Sequence, residues 1–406
     1  MVIDGGRVAA REVASELAGH HEIEAGGRVV IPGLVNSHVH LDKAFVGGLA
    51  PSGLMRDGVA LGTKRKRHYT REDIKSRVRR ALDLAVRHAT TARCSPVDVD
   101  PIVGTLCVAA LAEVREEYRD RIDIQVLAFP QEGLLGVDGM HDLMRRAVEV
   151  GGDLVGGRPQ GDPVEALDYE RRIDATFEIA AGRLIDMSVD AICLSQRSQR
   201  PDPAELGVYR LAEAVIRLSY RRGAVTARHV LALSAVSEPD ADRVIDLVRQ
   251  AGVNVITLPS SNLFTEGRTD KDTPRRGLTR VKSFLQAGVN VAMGTDNLDD
   301  TYLPFANMNP LLEAHVCACA AHLGNQNELP QLRGMITHSG AQTLAIERYG
   351  TAGGCRADVV VLETADHSSI VTTQPEQSHV IKAGRVVAVN GVARRLPKTG
   401  IGEVTA

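Results

Sequence analysis

From residue 28 onward the chain alternates short apolar runs that end in polar residues with longer segments whose apolar positions recur at helical spacing. That alternation predicts a parallel sheet with helical crossovers. Eight candidate strands can be counted: Arg28–His40, Ala92–Asp100, Ile122–Gln131, Asp153–Arg158, Leu184–Asp190, Ala224–Leu231, Val253–Pro259 and Val289–Asp296. Segments between them, such as Arg71–His88 and Asp240–Ala251, carry one apolar helical stripe and are expected to form an outer ring. Charged or hydroxyl residues gather at the C-terminal end of most strands, where a closed α/β barrel of the TIM type, (β/α)8, builds its active face. The two ends of the chain break the pattern. Val359–Leu362 and Ser378–Val392 are short β-branched runs around Ala-Gly and Asn-Gly turns, and Met1–Val30 is similar. Residues 1–30 and 346–406 are therefore expected to form one small β domain beside a barrel at 31–345.

The totals narrow the function classes. A chain of 406 residues with 44% hydrophobic and 24% charged positions has ordinary globular composition. Its net charge of -3 supplies no field that would gather nucleic acid or an anionic membrane. The basic run Lys64-Arg65-Lys66-Arg67-His68 is short and reads as a solvated loop. Met1–Ala25 lacks the apolar stretch of a secretion signal, and no run reaches the ~18 apolar residues of a membrane span. A cytoplasmic protein acting on a small molecule is the expectation, with room for a homo-oligomer. The six cysteines are scattered, and Cys317-x-Cys319 lies in an Ala-rich helical segment, so reduced thiols fit better than disulfides or a zinc ribbon.

The most informative stretch is Pro32-Gly33-Leu34-Val35-Asn36-Ser37-His38-Val39-His40-Leu41-Asp42. Histidines at i and i+2 on a strand point the same way, so His38 and His40 could reach one cation in a barrel mouth. Alone, such a pair is weak evidence for a metal. Together with Gly294-Thr295-Asp296 at the end of the eighth strand, the segment resembles the amidohydrolase superfamily. The resemblance is closest to its cytosine deaminase branch and runs along nearly the whole chain. It includes His38 to Lys43, Ala128-Phe129-Pro130-Gln131-Glu132-Gly133, Arg275 to Lys282, Gly294 to Asn297 and Gly350 to Asp358. It implies one divalent transition metal ion, zinc or iron, held by His38, His40 and Asp296. It further implies that Asp296 takes a proton from the attacking water and that His229 contacts that water or the substrate oxygen. Gln131, Asn297 and Lys43 would line the substrate, the Gln131 amide offering both a donor and an acceptor; the other reading of Gln131 is a strand-end amide capping a loop.

Three departures from that branch stand at the catalytic face. Its His-x-Asp-Glu at the end of the fifth strand becomes Ser188-Val189-Asp190-Ala191, so a serine replaces a ligand and an alanine the proton shuttle. Its Thr-His-Val-Asp at the second strand becomes Cys94-Ser95-Pro96-Val97-Asp98. Asp190 is the candidate to supply a replacement carboxylate, and a carboxylate beside a cation stays ionised, which suits a ligand better than a proton carrier. Cys193 is a more remote soft ligand. Two readings follow. One is a metal-dependent hydrolase that cleaves a C–N bond in a small nitrogen heterocycle or related cyclic amide or amidine, with a weakly held ion and poor activity on cytosine. The other is an altered barrel that runs a cyclase- or lyase-type reaction, or only binds.

Overall fold

The computed structural model describes residues 1–9, 22–161, 169–189, 202–268, 270–271, 276–305 and 307–391. Its strands in chain order are β1 (Ile3–Asp4), β2 (Arg7–Val8), β3 (Val30–Pro32), β4 (Leu34–Asn36), β5 (Thr90–Asp98), β6 (Asp123–Phe129) and β7 (Leu154–Gly157). They continue with β8 (Ile185–Val189), β9 (Val225–His229), β10 (Asn254–Thr257), β11 (Val291–Met293), β12 (Val359–Leu362), β13 (Gln377–Lys382) and β14 (Arg385–Val389). Strands β4 to β11 pair in chain order as one eight-stranded sheet whose pairs are all parallel. Beyond β4 and β11 a parallel bridge joins Val39 to Asp296. The amide of Asp296 donates to the His38 carbonyl at 3.0 Å and that of His40 to the Asp296 carbonyl at 2.8 Å, so the sheet closes into the expected (β/α)8 barrel.

The expected first strand, Arg28–His40, is divided between two sheets. β3 pairs antiparallel with β12 in a four-stranded sheet ordered β14-β13-β12-β3, while β4 pairs with β5 in the barrel. Gly33 is the crossing point: its amide donates to the Asp358 carbonyl at 2.8 Å, and the next amide, of Leu34, donates to Ala89 at 2.9 Å. A Cβ on Gly33 would lie 2.2 Å from the Thr91 hydroxyl, so only glycine lets the chain change sheets there.

The barrel interior is layered. Val35, Ala92, Cys94, Leu127 and Leu154 form an apolar floor, closed from below by Ala341 and Leu344. The outward positions of the same strands pack under amphipathic helices such as Arg71–Arg87 and Glu238–Ala251. The first starts on a Thr70 side-chain cap and the second on a Ser237 cap with proline in its first turn. The basic run, expected to be a solvated loop, is a correction: Lys64 to Lys66 end the helix Met55–Lys66. Lys66 is buried because its ammonium is ringed by Asp98, Asp100 and Glu132 at 2.8, 2.6 and 2.8 Å.

Candidate active site

The floor gives way to polar side chains toward the C-terminal ends of the strands. His38 and His40 follow β4, and Asp296 follows β11 across the closing seam. His38 Nε2 lies 3.3 Å and His40 Nε2 3.6 Å from Asp296 Oδ1. Asp296 Oδ2 turns away and accepts from the Ser261 hydroxyl at 2.6 Å. The seam is tight because Gly294 has no side chain: a Cβ there would lie 2.6 Å from the His38 carbonyl oxygen. Asp296 sits at φ +62°, a left-handed conformation that a non-glycine residue adopts at a cost. Burial pushes its carboxyl up, but the His38 hydrogen bond and the neighbouring imidazoles outweigh burial and hold it well below the usual carboxylate range. Burial, then the Lys43 and His38 charges, lower His40 well below an ordinary histidine.

This donor set fits a divalent transition ion. Two imidazole nitrogens and one carboxylate oxygen lie within 4.8 Å of one another. Donors held about 2.1 Å from one tetrahedral ion stand roughly 3.4 Å apart, close to the two separations to Asp296.

The fourth family position is different. Ser188 is buried at the cleft wall, and the residue paired with it on β9 is Arg228. The Arg228 guanidinium reaches inward, with Nη1 3.0 Å from His38 Nδ1 and 3.3 Å from His38 Nε2. It stacks on the Phe129 ring at 4.3 Å. Its counterion is Asp186, on the same inward face of β8 as Ser188, with Oδ1 3.5 Å from Arg228 Nε. Burial raises the Asp186 carboxyl, and the Arg228 charge with the His38 hydrogen bond more than reverses that. Sequence reasoning missed this pair, although Asp186 and Arg228 occupy strand positions whose parity with Ser188 and Thr226 points inward. Asp190, Ala191 and Cys193 lie outside the described residues.

The remaining candidates share one cleft, lined by His40, Lys43, Gln131, His229, Asp296 and Asn297 among others. His229 Nδ1 meets the Asn262 side-chain oxygen at 3.0 Å, which places the proton on Nδ1 and leaves Nε2 an acceptor. Burial lowers this histidine to about 4, against the raising effect of Asp296, so the ring is neutral near pH 7. Like Asp296 it is held at positive φ, +69°, followed by Val230 at +51°. Lys43 Nζ bridges Asp98 Oδ1 at 2.8 Å and Gln131 Oε1 at 3.0 Å, which leaves the Gln131 amide nitrogen for a ligand. Asn297 donates to Asp300. Arg158, which no sequence argument singled out, lines the same cleft and donates to the Gln131 carbonyl at 2.6 Å.

Comparison with known proteins gives a consistent grouping. Residues 99–388 match the amidohydrolase family. An N-isopropylammelide isopropyl amidohydrolase from Pseudomonas sp. (strain ADP) is 31% identical over 96% of this chain and 93% of its own. A pterin deaminase from Rhizobium rhizogenes is 28% identical over 88% of this chain and 80% of its own. The crystal structure of 5-methylcytosine deaminase from Klebsiella pneumoniae, liganded with 5-fluorocytosine, superposes with a TM-score of 0.89. It shares 28% identity and covers 98% of this chain and 96% of that one. No helix among the described residues is long and apolar enough to cross a membrane.

Proposed function

The chain belongs to the amidohydrolase family, and we propose that within it the protein is a metal-dependent hydrolase that opens a carbon–nitrogen bond of a small nitrogen heterocycle or a related cyclic amide or amidine. The convergence of His38, His40 and Asp296 on one point at the barrel mouth carries this reading. A divalent ion held by those three residues would polarise water and lower its pKa toward neutrality. Asp296 then accepts the water proton, its carboxylate kept ionised by the imidazoles around it. His229 faces the same cleft with an unprotonated Nε2, so it accepts a hydrogen bond from the attacking water and orients it while Asp296 takes the proton. The Gln131 amide, fixed by Lys43, orients the amide-like edge of a ring. Asn297 borders the same space. Asp190 remains a proposed further carboxylate on sequence position alone. A glutamate shuttle is missing at Ala191, so leaving groups that need little protonation suit the site best.

The test is Asp296→Asn, assayed on a substrate found by thermal-shift screening of nitrogen heterocycles. The amide is nearly isosteric, but it can neither accept the proton nor balance a cation, so turnover should vanish while the protein still folds. Activity within a few-fold of the parent would overturn the mechanism.

A further inference from the structure

The cleft holds more positive charge than hydrolysis of a neutral ring requires. Lys43, Arg158 and Arg228 all line it, and the one carboxylate on its wall, Asp296, is engaged by His38, His40 and Ser261. Two of the three cations have acidic partners: Lys43 has Asp98 at 2.8 Å, and Arg228 has Asp186 at 3.5 Å. Arg158 has no carboxylate partner among the described residues, and its Nη1 goes to a backbone carbonyl. Arg228 is 1% exposed; its Nε faces Asp186 Oδ1 at 3.5 Å, and its Nη2 has no hydrogen-bond partner. A buried guanidinium N–H without an acceptor is costly, and a charged oxygen is the acceptor that satisfies it most strongly. The two arginines flank one strand end. Arg228 stacks on Phe129, and Arg158 holds the carbonyl of Gln131, two residues on.

We propose that the substrate carries an anionic oxygen group, a carboxylate or an ionised ring oxygen, which Arg158 and Arg228 bind against the Phe129–Gln131 wall of the cleft. This substrate class rests on the hydrolase reading above. In it, Arg228 takes over the space beside Ser188 and turns it from a ligand position into a recognition position.

Isothermal titration of the protein as purified, with three ring probes of similar size, tests the assignment without turnover. Uracil is neutral, uracil-6-carboxylate presents a carboxylate, and barbiturate presents an ionised ring oxygen. At least one anion should bind about tenfold or more tightly than uracil, as expected for charge-assisted hydrogen bonds. Whichever anion is preferred identifies the source of the charge. In Arg158→Gln, at a partly exposed position, most of that preference should be lost at an unchanged melting temperature. Equal binding of all three probes, no measurable binding of either anion, or an undiminished preference in Arg158→Gln each overturns the proposal. The last result would leave anion binding to Arg228 or to the His38–His40–Asp296 centre, without Arg158. Because the readout is equilibrium binding, a failure of the hydrolase reading in the Asp296→Asn assay is recognised separately.

Discussion

Replacing Ser261 by alanine removes one atom, the hydroxyl oxygen that donates to Asp296 Oδ2 at 2.6 Å. Ser261 is 4% and Asp296 3% exposed, so water does not take its place. A hydrogen bond to a charged group contributes about 1.5–3 kcal/mol, and with one power of ten for each 1.4 kcal/mol that is roughly a 10- to 150-fold change in an equilibrium constant. Part of that loss falls on overall stability. The part that matters here falls on orientation, because the hydroxyl fixes which carboxylate oxygen faces the two imidazoles. Residues that orient a metal ligand typically change affinity about 10- to 100-fold. Zinc affinity of Ser261→Ala, measured by competition with a chromophoric chelator, should therefore fall about 10- to 100-fold. Circular dichroism should be unchanged. A dissociation constant within about twofold of the parent would show that the seam backbone alone orients Asp296, and the reasoning would fail.

Glu313 is buried on the helix Pro310–Ala321 and raised to about 7, by burial foremost, while its contact with the Ser260 amide pulls the other way. The folded state thus holds a proton that the unfolded chain releases near pH 4.5, so stability is lost as pH rises from there to about 7, by about 3 kcal/mol in all. Glu313→Gln should raise the melting temperature at pH 8 more than at pH 5, and an equal shift at both would refute the assignment. Cytosine should be a poor substrate because Ala191 stands where the branch has its proton shuttle; ammonia release with kcat on the order of 1–10³ per second would show that the fifth-strand alignment is wrong. Elemental analysis of the purified protein should find zinc or iron at less than one equivalent, since Arg228 places a positive charge 3.3 Å from His38 Nε2. A full, chelator-resistant equivalent would mean that a further side chain completes the ligand set.

The barrel was legible because its evidence is repetitive: eight apolar runs, each ending in polar residues, interleaved with helical stripes. His38, His40 and Asp296 were legible for a different reason, since their spacing and flanking glycines match a family segment. What stayed hidden depended on partners distant in the chain. Lys66 looked like part of a solvated basic run because the Asp98, Asp100 and Glu132 side chains that bury it come from other segments. The break at Gly33 was hidden for the same reason, being set by Thr91 on a neighbouring strand. Arg228 stands beside a histidine that carries the family signal, and its own role is not written in the local sequence. Strand parity alone would have turned it inward, but a lone inward arginine has no meaning until Asp186 and Phe129 are seen around it.

The bridge between Val39 and Asp296 joins the first and last turns of the barrel. The donor cluster is therefore assembled by the same event that shuts the cylinder. A nascent chain that has emerged only through β10 owns two imidazoles and lacks the third donor, so it has no complete site with which to capture an ion. An ion bound there would not template early folding; it would act as a clasp applied after the last strand is home, favouring the shut barrel over any state in which that strand has peeled away. Loss of the ion should accordingly be felt first as fraying of the two strands at this seam, while the opposite wall of the barrel, from β6 to β8, keeps its pairing.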